Sequence, residues 1–156
     1  MTAWADRPQL AAAYLNPAVV ASIIATASQA YQSARSQRMI WPMAFVVCPM
    51  LLHRPTRLAL PASTATHLTA WVSRNALVHV GFAARARELA PATREGLRFG
   101  LRYGVLSIES GGLIATIGTS RDPELRTLLN AARLVGRWFA KIDQPATVFA
   151  ILGVEP

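Results

Sequence analysis

The sequence predicts a mainly α-helical domain with one small β-hairpin, arranged as a winged-helix-like core with flanking N- and C-terminal helices. Three observations predict it. Apolar residues recur at helical spacing through much of the chain, above all in residues 18–34 and 123–142. Two short alternating runs, residues 105–109 and 113–117, flank Ser110-Gly111-Gly112, which is the pattern of a tight hairpin. That hairpin follows what reads as three consecutive helices, the element order of a winged helix. A length of 156 residues suits one domain and is short for two. Within it, residues 1–61 read as an N-terminal helix and basic loop, 62–117 as the winged-helix-like unit, and 118–156 as a C-terminal helix and tail.

Asn16-Pro17 is a helix start, because asparagine caps and proline at the first helical position loses no needed donor. Val19, Val20, Ile23, Ile24, Ala27, Ala30, Tyr31 and Ala34 then repeat to near Arg38, with small polar residues opposite, so this helix is expected to pack on one side. Residues 41–52 are apolar, with Pro42 and Pro49 inside. Their β-branched centre fits a buried strand or a short helix interrupted near Pro49, and both readings stay open. His53-Arg54-Pro55-Thr56-Arg57 reads as an ordered basic loop, Pro55 restricting Arg54. Ser63 or Thr64 caps a helix to about Asn75, with Leu68, Trp71 and Val72 inward. A second helix covers residues 77–89 with Leu77, Val80, Phe82 and Ala86 on one side. Pro91 opens a third over 93–103, which Gly104 ends. The last helix starts at Pro123. Its stripe of Leu125, Leu128, Leu129, Ala132, Val135, Phe139 and Ile142 faces inward, and Arg126, Arg133, Arg137 and Lys141 form a solvated side. The tail, residues 145–154, is apolar enough to pack on the core or on a partner.

Hydrophobic residues make up 53 % of the chain and the mean hydropathy is +0.30, high for a domain of this size. The longest apolar run, residues 39–52, is 14 long and holds two prolines, whereas a membrane span needs roughly 20 residues. The first fifteen residues include Asp6 and lack the basic and apolar regions of a signal peptide. The chain is therefore read as cytoplasmic and not membrane-bound. Its apolar excess belongs either to a partner interface or to a well-filled core.

The net charge of +8 is uneven. No acidic residue lies between Asp6 and Glu88, a span that holds Arg7, Arg35, Arg38, Arg54, Arg57, Arg74, Arg85 and Arg87. The remainder is neutral. An unneutralised basic half points to nucleic acid, a phosphorylated ligand or an acidic protein face. Arg94, Arg98 and Arg102, spaced by four, share about 80° of one helix face. Gly96, Gly100 and Gly104 keep the same spacing on a roughly opposite arc, where glycine costs about 1 kcal/mol against alanine and close backbone approach is the usual reason. The arginines are candidates for contact with a protein partner or with DNA; a solvated face is the plainer reading. His53, Arg54 and Arg57 are candidates for an anion or an acidic loop, with a capping turn as the alternative.

Enzyme readings find no support. No carboxylate pair has shared acid–base spacing, His53, His67 and His79 are far apart, and no metal-ligand cluster or phosphate loop is present, so no cofactor is expected. The single cysteine, Cys48, sits in an apolar run, where a thiol behaves as a small buried hydrophobe.

Three stretches together resemble the middle component of bacterial three-component ABC systems. The first runs from Asn16-Pro17 through Trp41-Pro42-Met43-Ala44-Phe45 to His53-Arg54-Pro55-Thr56-Arg57-Leu58-Ala59-Leu60-Pro61. The second is Thr93-Arg94-Glu95-Gly96-Leu97-Arg98-Phe99-Gly100. The third is Gly136-Arg137-Trp138-Phe139-Ala140-Lys141, with Pro145-Ala146-Thr147 and Gly153-Val154-Glu155-Pro156 after it. The resemblance implies a role and not a reaction. Such proteins are encoded beside an SMC-like ABC ATPase and a third protein, often an effector such as a nuclease, and Lamassu-type anti-phage defence is similar in organisation. It implies an adaptor that couples sensing of double-stranded DNA to the effector and has no catalytic residue to carry over. The rival expectation is a stand-alone winged-helix DNA-binding transcriptional regulator.

Overall fold

The computed structural model describes residues 15–155. The reading of the N-terminal stretch with Asp6 and Arg7 lies outside the described residues. Helix α1 (Pro17–Arg35) starts as its sequence dictates, Asn16 Oδ1 accepting a hydrogen bond from Ala18 N at 2.9 Å. Ser36, at φ 61°, closes it by donating its N–H to Gln32 O at 2.8 Å.

Residues 41–52 are helical. A 3-10 turn (Trp41–Met43) leads into α2 (Ala44–Leu52), which carries Pro49 inside it. Burial overrides the β propensity of Val46 and Val47 here, since both are fully enclosed among helices. The expected basic loop is the short helix α3 (Arg54–Leu58), with Pro55 in its first turn and His53 as its cap. The connection 59–67 is irregular and is pinned by two indoles. Trp71 Nε1 donates to Ala59 O and Trp138 Nε1 to Thr66 O, each at 2.7 Å, and the two rings meet edge-on at 5.4 Å.

Helix α4 (Leu68–Arg74) therefore begins at His67, later than the Ser63 or Thr64 cap predicts. Asn75 separates it from α5 (Ala76–Val80). Leu77 and Val80, read on or near one side with Phe82 and Ala86, part from them: they are 91 % and 81 % exposed, while Phe82 and Ala86 are buried. The larger correction is α6 (Phe82–Arg102), a single helix through Pro91. The predicted second and third helices are not separate, so the element order that suggested a winged helix is not the one observed. Proline removes the bond its amide would make to the Arg87 carbonyl. Both residues are exposed, so water can satisfy that carbonyl, while Phe82, Ala86, Ala92, Thr93, Gly96, Leu97 and Gly100 keep the inner side buried across the site.

The hairpin is as expected: β1 (Leu106–Glu109) pairs antiparallel with β2 (Gly112–Ala115), Leu106 opposite Ala115. Ser110 and Gly111 turn it with φ of 51° and 78°, both positive as a tight two-residue hairpin requires. Residues 39–41 extend the sheet on the other side of β2. Leu113 N donates to Met39 O at 2.8 Å and Trp41 N to Gly111 O at 3.0 Å. Helix α7 (Pro123–Ala140) is capped by Asp122, whose Oδ1 accepts from Leu125 N at 3.0 Å. Helix α8 (Pro145–Leu152) turns the apolar tail into a packed element, burying Val148, Phe149 and Leu152.

These elements gather around α1, which contacts α7, α6, β2 and α2. The sequence reading gives α1 one packed side; the structure buries it all round from Val20 to Ser28, apart from half-buried Ser22. Thr26 and Ser28, expected to face outward, are 2 % and 1 % exposed. Small side chains make this feasible. At the crossing with α7, Gly136 lies against the Ala27 backbone, and a Cβ there would strike the Ala27 carbonyl oxygen. One apolar cluster runs from Val20 to Leu152 and includes residues from both ends of the described chain.

Candidate interaction surface

The two sides of α6 differ in size and charge. On the inner side a Cβ at Gly96 would meet the Val20 side chain, and one at Gly100 would come within 2.6 Å of Leu106 Cδ1. The glycine stripe thus lets α1 and β1 approach the helix, while Gly104, at φ 77°, lies just beyond its end. On the outer side Arg94, Arg98 and Arg102 are all exposed. Because α6 continues through Pro91, Arg87 joins them: seven residues is about two turns, which returns it to within about 20° of Arg94. Sequence reasoning missed Arg87 because it ended one helix and started another at the proline.

Apolar and aromatic groups border this arc. The Arg94 guanidinium lies 5.8 Å from the Phe45 ring centroid, and Phe45 meets Trp41 edge-on at 6.3 Å. The Arg102 guanidinium lies 5.8 Å from the ring of exposed Tyr103. Leu101, just outside the Arg94 edge of the arc, and Trp41, beside it, are each 42 % exposed.

The basic turn is spent largely on the fold. His53 Nδ1 lies 3.4 Å from Thr56 N, whose N–H it accepts, and 2.7 Å from Thr56 Oγ1. Burial, and then the charge of Arg85, lowers the His53 pKa and so favours the neutral ring that this cap needs. Arg57 Nη1 donates to Leu51 O at 2.5 Å, in the last turn of α2, and only Arg54 of the three is exposed. Arg85 stands nine residues from Arg94, about half a turn away around α6. The turn it approaches is therefore on the other side of the helix, and the structure does not merge the two sequence-predicted basic features.

Three arginines of the acid-free half share one structural use. Arg35 donates to Ala140 O at 3.1 Å, Ile142 O at 3.2 Å and Asp143 O at 2.7 Å, closing the C-terminal end of α7. Arg57 does the same for α2, and Arg85 donates to Val78 O of α5. Helix C-terminal carbonyls lack internal donors and carry partial negative charge, so a guanidinium there is stabilising. Arg38 pairs with Glu109 at 3.6 Å. Much of the apparent excess charge is thus satisfied internally, and the α6 arc is where exposed cations concentrate.

Burial pushes the Cys48 thiol up to about 12, a hydrogen bond with Thr93 opposing it, so the thiol stays protonated. His79 Nε2 lies 3.0 Å from Ile151 O and ties α5 to α8. Among the described residues no group of three His, Cys, Asp or Glu could hold a metal ion, and no helix is long and apolar enough to cross a membrane. An open groove of about 340 Å³ is lined by Thr119, Ser120, Arg126, Leu129, Asn130 and Arg133. Its arginines are held in place, Arg133 by Asn130 Oδ1 at 2.6 Å and Arg126 by Ser120 O at 3.4 Å.

Residues 4–156 match the family model described as ABC-three component (ABC-3C) system Middle Component 3. The chain belongs to this family. No curated protein and no solved structure matches it. As a middle component it is one part of a multi-component ABC system. Two of the three stretches that carry the family resemblance hold glycines at close approaches: Gly96 and Gly100 against α1 and β1, and Gly136 against Ala27.

Proposed function

We propose that this middle component is a non-catalytic, cytoplasmic adaptor that links an SMC-like ABC ATPase to an effector, such as a nuclease, in an anti-phage defence complex. The observation that carries this reading is the outer arc of α6, where Arg87, Arg94, Arg98 and Arg102 stand exposed beside Leu101 and Tyr103. The fold ties Arg35, Arg57 and Arg85 to helix-end carbonyls but lines these four up in solvent along one helix face, which supports a docking role. Family membership supplies the context of partner proteins.

The test is co-expression of the tagged chain with the ABC ATPase and effector of its system, followed by size exclusion at moderate and high salt. A stable complex with the ATPase is the expected result. A chain that elutes alone and shifts duplex DNA with a steep salt dependence would instead establish the stand-alone DNA-binding regulator.

A further inference from the structure

We infer that the outer arc of α6 docks an acidic protein segment of the partner ATPase, and not a nucleic-acid backbone; the inference rests on the adaptor reading above. The arc is long and nearly straight-sided. Fifteen residues separate Arg87 from Arg102, about 22 Å along the axis, and Arg87, Arg94, Arg98 and Arg102 fall within about 80° of one another. A partner helix with carboxylates every third or fourth residue, or a strand with carboxylates on alternate positions, presents charge along a line of that length.

The company of the arginines selects protein over phosphate. Phosphate tracks mix arginine with lysine, serine, threonine, asparagine, glutamine, tyrosine and backbone N–H donors. Apart from Tyr103 just past its end, the exposed arc of α6 contains none of those side chains: Pro91 stands between its arginines, Leu101 lies just outside the Arg94 edge, and Glu88 and Glu95 border the opposite edge. A phosphate backbone following the arc would have to pass exposed Glu88, whereas a protein segment of limited width need not. At the other margin Arg94 lies over Phe45, which abuts exposed Trp41, and Tyr103 lies beside Arg102. Arginine with aromatic neighbours is the composition of energetically dominant protein–protein contacts. The docked segment is accordingly acidic with an apolar residue to set on Leu101.

The experiment measures the affinity of the ABC ATPase of the same system for three forms of the chain. These are wild type, Arg94→Gln/Arg98→Gln/Arg102→Gln, and the control Arg74→Gln/Arg121→Gln/Arg137→Gln, which removes equal charge from exposed positions elsewhere. Circular dichroism melting checks that all three fold, as expected for exposed sites. The expected result is binding about tenfold weaker for the arc variant and unchanged for the control. A second arc variant, Leu101→Asp, should weaken binding without altering the arginines. Wild-type binding matched by both arc variants would overturn the docking surface and leave the adaptor standing. An arc variant that keeps the ATPase but loses duplex DNA would also overturn it, assigning the arc to phosphate. Wild type that binds no ATPase would overturn the adaptor reading and this surface with it.

Discussion

Gly136 shows how far a single residue controls the fold. A propensity argument treats an interior helix glycine as a defect worth about 1 kcal/mol relative to alanine. Here the missing Cβ is where the Ala27 carbonyl passes, so α7 and α1 touch backbone to backbone. Gly136→Ala should therefore destabilise the chain by about 1–3 kcal/mol in urea unfolding, the packing clash outweighing the gain in propensity. Gly96→Ala, which meets the Val20 side chain, should cost less, and Gly118→Ala, with open space around it, should be neutral. A more stable Gly136→Ala variant would sink this account. The spacing of Gly96 and Gly100 is legible in sequence as a close approach; Gly136 is not, because it stands alone within an apolar stripe. Arginine was legible only as charge. Whether a guanidinium caps a helix, as Arg35 does, or faces solvent, as Arg98 does, depends on carbonyls more than a hundred residues away.

At the level of elements, the misreading at Pro91 has a physical cause. Proline is usual at the first position of a helix and costly inside one, so a helix start is the natural inference from residues 90–93. The interior placement survives because Pro91 and Arg87 face solvent while the inner side of α6 stays packed. Restoring the amide should then help: Pro91→Ala is expected to stabilise the chain by about 1–2 kcal/mol, the recovered hydrogen bond exceeding the entropy returned to the unfolded state. Thermal melting measures it, and a neutral or destabilising result would place a helix boundary at that position. Residues 41–52 illustrate the opposite difficulty. Their apolar run has no periodicity to read, since α2 is buried on nearly every side, and only its neighbours select helix over strand. The hairpin was fully legible, because Ser110-Gly111-Gly112 encodes the turn locally.

Across the whole molecule, stability depends on the tail packing back onto the middle of the chain. Helix α8 buries Val148, Phe149 and Leu152, and His79 anchors it through Ile151 O. Each large apolar side chain contributes about 1.5–3 kcal/mol on burial, against a total stability of about 5–15 kcal/mol for a typical domain. Truncation after Gln144 should therefore lower the melting temperature sharply or abolish the cooperative transition. Retention of a wild-type melt would show that α8 is an accessory to an independent core.

The sequence by itself determined a helical domain with one hairpin, the capped start of α1, the proline start of α7 and the family, because caps, turns and apolar periodicity are written within a few residues of where they act. Tertiary structure alone decided that α1 is enclosed on all sides between Val20 and Ser28, that α6 runs through Pro91 and so lines up Arg87 with Arg94, Arg98 and Arg102, and that Arg35, Arg57 and Arg85 close other helices. Those outcomes depend on which carbonyl or side chain arrives from a distant part of the chain, and local spacing carries no record of that.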